Sequence, residues 1–147
     1  MSIARIAATC LLLAFLPACA AGPRAADENA GGLSLDDVAG RTFFLVSMDG
    51  KSPEGAKAPE LAFTREGRVV GAACNRFSGP ARIAHGTLTA EQTASTRMAC
   101  FQPFLNELEQ ILFGMFQHGA RASLADGRLT LTRDGHVLVY APPPPKP

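Results

Sequence analysis

Pro103-Phe104-Leu105-Asn106-Glu107-Leu108-Glu109-Gln110-Ile111-Leu112-Phe113-Gly114-Met115-Phe116-Gln117-His118 is the stretch whose reading decides the fold. Phe104, Leu105, Leu108, Ile111, Leu112, Met115 and Phe116 recur at helical spacing and make one broad apolar stripe. Asn106, Glu107, Glu109, Gln110 and Gln117 read as the opposite, polar side. Proline is at home in a first helical turn, and Gly119 is a natural stop. The spacing predicts a helix over 103–118. Burying such side chains contributes roughly 1.5–3 kcal/mol each, enough to dock the helix on a sheet.

Strand signals lie on both sides of it. Downstream, residues 122–124, 128–132 and 136–140 are rich in Leu, Val and Thr, with Asp126-Gly127 and Asp134-Gly135 as tight hairpin turns between them. Upstream, 41–48 (RTFFLVSM) reads as a strand ending at the Asp49-Gly50 turn, followed by a loop over 51–59. Residues 61–71 read as a hairpin, and 81–84 with 87–90 as another strand pair around His85-Gly86. Residues 33–40 read as a short helical turn, with Ser34 able to cap it and Gly40 stopping it. Strands, one long helix, then strands, joined by hairpins, predict an α+β domain on an antiparallel sheet. Pro142 to Pro147 is a proline-rich tail.

The chain has 147 residues, which suits one domain, and its 47% apolar and 18% charged residues suit a packed core. Tryptophan is absent and there is one tyrosine, so nine phenylalanines supply the aromatic bulk. Without residues 1–18, which carry only Arg5, basic and acidic groups balance at 13 each. A neutral domain has no electrostatic reason to hold nucleic acid.

At the N-terminus, Ile6 to Leu16 is an uncharged, mostly apolar run of signal-sequence length, too short to span a membrane. Leu16-Pro17-Ala18-Cys19 comes next and resembles a lipobox, in which the cysteine is acylated after cleavage ahead of it. Residues 1–18 are therefore expected to be a lipoprotein signal peptide, Cys19 the lipidation site, and 19–32 a flexible tether to a domain over 33–141. The partner so implied is the membrane, and the location the periplasmic face of an outer membrane. Ala18-Cys19-Ala20 also fits ordinary signal peptidase, which would cut after Ala20 and release a soluble periplasmic protein.

Both cleavages leave Cys74 and Cys100, in an oxidising compartment. They could be bridged, stay as two buried thiols, or belong to a metal site. A bridge would stabilise by about 3–3.5 kcal/mol on the loop-entropy scale. A metal site lacks support: there is no C-x-x-C, and His85, His118 and His136 stand apart.

Gly71-Ala72-Ala73-Cys74-Asn75-Arg76-Phe77-Ser78-Gly79 and Ser95-Thr96-Arg97-Met98-Ala99-Cys100 carry a resemblance. Together with Glu107-x-Glu109 and the strand at Leu129-Thr130-Leu131, they resemble the META-domain family, and closely its HslJ-like heat-inducible envelope members. The resemblance covers about residues 35–141 and falls on Cys74, Asn75, Arg76, Gly79, Thr96, Met98 and Cys100. It implies an antiparallel sheet wrapped on a helix, an envelope location, a link to heat shock and antibiotic tolerance, and no established catalysis. Physically, Asn75 tolerates unusual backbone angles and can tie a turn with its side-chain amide, Gly71 and Gly79 suggest a bulged or tightly packed strand, and Thr96 and Met98 read as alternating on a strand with Met98 inward. A recognition surface around Asn75, Arg76 and Arg97 is the functional alternative.

The chain has no G-x-S-x-G, no H-E-x-x-H and no phosphate-cradling glycine loop. Glu107 and Glu109, two apart on a helix, cannot act as paired carboxylates. The expectation is a non-enzymatic, monomeric envelope module without cofactor or metal, binding an envelope protein or an amphiphile. One variant is a pocket for a lipid tail, as in secretion-pilot lipoproteins. The rival is a periplasmic hydrolase or an enzyme inhibitor working through His85 or His136.

Overall fold

The computed structural model describes residues 32–54 and 57–145. Cys19, the signal segment and the tether up to residue 31 lie outside them.

Among the described residues, ten strands and one helix run in chain order: β1 (Arg41–Met48), β2 (Glu60–Phe63), β3 (Arg68–Ala72), β4 (Arg76–Pro80), β5 (Arg82–Ala84), β6 (Thr87–Thr89), β7 (Ala94–Ser95), α1 (Pro103–His118), β8 (Ala120–Ala125), β9 (Arg128–Arg133) and β10 (His136–Ala141). All strands join one antiparallel sheet in the order β5-β6-β8-β9-β10-β1-β2-β3-β4-β7. Only Ala81 separates β4 from β5, so one bent stretch of chain serves both flanks of that order and the sheet curls on itself. The expected antiparallel sheet and single helix are present, but the balance differs: the fold is mostly β, with one helix of 16 residues. The turn expected at 33–40 is a run of bends and turns rather than a helix. Ser34 donates there from N and Oγ to Asp37 Oδ2 at 2.8 and 2.7 Å, which holds the Asp37 carboxyl below its usual range.

Turn chemistry explains the hairpins. Asp126, Asp134 and His85 take φ of 50°, 49° and 50°, each succeeded by a glycine that is also left-handed. Such pairs match the twist of the strands they join.

Alternation builds the core. In β9 (RLTLTR), Leu129 and Leu131 are fully buried while Arg128 and Thr132 face out. From α1, Leu108, Leu112, Met115 and Phe116 point into the same core, with Phe43, Leu61, Phe63, Leu138 and Tyr140 from the sheet. Phe77 of β4 meets Phe113 and Phe116 edge-on, with centroids 5.8 and 5.7 Å apart, which fastens the helix to the sheet. Arg133 of β9 donates to the carbonyls of His118 and Gly119 at 2.7 and 2.6 Å and so satisfies the end of α1. Among the described residues no helix is long and apolar enough to cross a membrane.

Candidate functional site

Asn75 sits in the turn just before β4 and is, among the described residues, the buried polar residue of the core, 7% exposed. Burying an amide is unfavourable unless its hydrogen bonds are made, and here all of them are. Its backbone N–H donates to Glu109 Oε2 at 3.0 Å, and its Nδ2 donates to Glu109 Oε1 and Oε2 at 3.1 and 3.3 Å. Its Oδ1 accepts from Thr96 Oγ1 at 2.9 Å and from the Met98 N–H at 2.7 Å. Next to it, Cys74 and Cys100 form a disulfide with Cα atoms 5.9 Å apart, closing the open question of their state.

The sequence motif is thus one knot. Asn75, Thr96, Met98, Cys74 and Cys100 converge, and Thr96 also accepts from the Arg76 N–H at 3.1 Å and donates its own N–H to Arg76 O at 3.0 Å. Two details differ from expectation. Asn75 does not adopt a left-handed backbone, although its side-chain amide ties the turn as expected. Met98 is not inward: after β7 the chain leaves regular strand geometry, and the Met98 side chain is 62% exposed because its backbone, not its side chain, is what Asn75 holds. Arg76 is exposed.

The glycines mark close approach, not bulging. A Cβ on Gly71 would collide with Glu60 O and lie 2.6 Å from Phe77 Cζ, and one on Gly79 would lie 2.6 Å from Thr93 Cα.

Glu109 is the residue that sequence reasoning set on the wrong side. At roughly 100° per residue on the helix, Glu109 falls between Phe116 and Phe113, both packed against Phe77. A carboxylate flanked in that way was the available signal.

The knot immobilises the loop that leads into α1. Residues 96–102 are held at Thr96, Met98 and Cys100, and Asn106 Nδ2 of α1 donates to Cys100 O at 2.9 Å. On this restrained segment Phe101 is 93% exposed. It lines a groove of about 730 Å³ with Pro53, Gln102, Pro103 and Phe104.

His85 stands apart from the other two histidines, whereas His118 and His136 line one cleft. His85 occupies a hairpin turn beside a cleft that also holds Arg41 and Arg121. His136 meets Asp49 through Nδ1 at 2.8 Å, and Asp49 also accepts from the Val137 N–H at 2.7 Å. The imidazole bond, then the amide, hold the Asp49 carboxyl below its usual range. The 270 Å³ cleft beside His136 is lined by Gln110, Ile111, Gly114, Met115, His118, Arg133 and Asp134, with no hydroxyl or thiol for the imidazole to activate. Among the described residues no group of three or more His, Cys, Asp or Glu could hold a metal ion.

A small, strand-dominated domain whose motif residues tie a disulfide, a buried amide and a helix carboxylate into one exposed loop defines the class. The META domain model matches residues 36–144, and the chain belongs to the META domain family. It is 39% identical over 99 residues to "Heat shock protein HslJ" of Escherichia coli (strain K12), covering 67% of this chain and 71% of that protein. A solved NMR structure at 34% identity superposes with a TM-score of 0.69, covering 74% of this chain and 94% of the other. A second NMR structure, from Burkholderia xenovorans, has the same fold at 17% identity, with a TM-score of 0.57 over 82% of this chain and 98% of that one.

Proposed function

We propose that this protein is a non-enzymatic module of the cell envelope that binds a protein partner through the segment 98–104. The observation that carries it is Phe101, 93% exposed on a backbone already restrained by Cys74–Cys100, Asn75 and Asn106. A large apolar side chain left in water gains most by being covered, and a segment ordered beforehand loses little entropy when it is. The space between α1 and the sheet is occupied by Phe77, Phe113, Phe116 and Leu112, which favours this outer surface over an internal lipid pocket. The disulfide and the apolar run 6–16 support export, and Leu16-Pro17-Ala18-Cys19 supports acylation at Cys19. The name of the Escherichia coli relative supports a link to stress.

A photo-crosslinking residue at position 101 in the living cell tests the reading. The expected result is a discrete protein adduct that grows on heat stress and disappears when Met98 and Phe104 are both replaced by serine in a chain that still folds. Absence of any adduct at 101 would refute it. Intact mass of the membrane-extracted chain tests the anchor: a tri-acylated N-terminal Cys19 is expected, and an unmodified N-terminus would refute lipidation.

A further inference from the structure

We infer that the outer edge of β7, continued through Ala99, is a strand-addition site for an extended segment of another polypeptide bearing an acidic side chain opposite Arg97. This rests on the binding function proposed for segment 98–104 and names the partner's chemistry.

β7 ends the strand order, so among the described residues no strand is bonded to its outer side. Beyond Ser95 the chain is no longer regular strand, but hydrogen bonds at Thr96 and Met98 keep it beside β4 and the turn before it. Thr96 N–H donates to Arg76 O at 3.0 Å, and one step further the carboxamide of Asn75 replaces a strand neighbour. Its Oδ1 accepts the Met98 N–H at 2.7 Å while its Nδ2 donates to Met98 O at 3.5 Å. One side-chain amide thus offers a single residue the donor and the acceptor that a ladder partner would offer.

The N–H groups of Thr96 and Met98 are engaged by Arg76 O and Asn75 Oδ1, and those of Arg97 and Ala99, which alternate with them, have no partner among the described residues. A row of free backbone groups is a template for another strand. The disulfide and the Glu109 carboxylate fix this row before any partner arrives, so the ordering entropy is already spent.

Charge selects the occupant. Arg76 and Arg97 are exposed, and the ion pairs of the described residues, Arg133–Asp134 and His136–Asp49, include neither. A second copy pairing antiparallel about Arg97 would set that arginine against itself, and like charges directly opposite are destabilising. An aspartate or glutamate there turns the repulsion into a cross-strand attraction, so an acid-bearing foreign segment fits the edge better than a twin.

The test pans displayed random linear peptides against the oxidised mature chain, then tracks amide hydrogen exchange with the selected peptide bound. The expected peptides are β-forming and acidic, and they slow exchange at Arg97 and Ala99. Arg97→Pro removes the backbone N–H and the guanidinium together and Arg97→Ala the guanidinium alone; the proline variant should bind roughly tenfold or more weakly than the alanine one. Arg97→Glu should reject the same peptides and Arg97→Lys keep them. Failure to select any peptide, binding to Arg97→Pro no weaker than to Arg97→Ala, or self-association protecting the same amides without peptide would overturn the inference. Peptides that leave Arg97 and Ala99 unprotected but depend on Phe101 would overturn it too, while leaving the broader binding function standing.

Discussion

Both oxygens of the Glu109 carboxylate, on the helix, accept hydrogen bonds from Asn75, in the turn before β4: one from the backbone N–H at 3.0 Å and two from Nδ2 at 3.1 and 3.3 Å. Thirty-four positions of chain separate the two residues. The contact therefore fixes α1, the β3–β4 turn and, through Met98, the loop leading into α1 as one body.

Replacing Asn75 by alanine strips the Met98 N–H of its acceptor and Glu109 of most of its donors. The expected loss is about 2–4 kcal/mol, since buried polar groups left unpaired are unfavourable beyond the bond itself. Glu109→Ala should lose about 1–3 kcal/mol, and the double variant should show coupling of about 0.5–3 kcal/mol. Urea denaturation of the four chains measures this; additive losses would mean the contact is not stabilising.

Reducing the Cys74–Cys100 bond, or replacing both cysteines by serine, should lower stability by about 3–3.5 kcal/mol through the restored freedom of the unfolded loop. Amide exchange should speed up chiefly over residues 96–102. Denaturation with and without reductant reads the first effect and exchange reads the second.

The glycines divide by what surrounds them. Gly71→Ala and Gly79→Ala should each destabilise by about 1–3 kcal/mol or more, because backbone atoms of Glu60 and Thr93 occupy the space a methyl needs. Gly114, in the middle of α1 with nothing within 4 Å of a Cβ, should behave in the opposite sense. Gly114→Ala is expected to stabilise by about 0.5–1 kcal/mol. Melting temperatures of the three variants decide the matter.

Burial pushes the Tyr140 phenol well above its usual range, because ionisation would strand a charge in the core. A folded-state pKa raised above the unfolded value of about 10 means the contribution is fully present below that pH and is lost as pH climbs past it. Tyr140 is the one tyrosine and there is no tryptophan, so tyrosinate absorbance reports it alone. Its appearance should coincide with alkaline loss of far-ultraviolet dichroism; ionisation ahead of unfolding would show that the phenol reaches water in the native state.

Much of the fold was legible. The apolar stripe and the Pro103 and Gly119 signals located α1 at the residues where it stands, and the Asp-Gly pairs located the last two hairpins. β4 and β7 were harder: Arg76–Pro80 has a glycine and a proline in five residues, and β7 is two residues long, so neither has enough alternation to read. Met98 was misplaced because an apolar residue in a motif suggests a core contact, whereas its main-chain amide is the part in use.

The helix and the Asp-Gly hairpins were already decided by the sequence, since helical periodicity and left-handed turn residues act over a few positions and need no distant partner. Cysteine counting could only nominate Cys74 and Cys100. Their bond, the grip of Asn75 on Glu109 and the outward setting of Phe101 came from tertiary structure alone, because each depends on how the curled sheet brings remote stretches of chain within a few ångströms of one another.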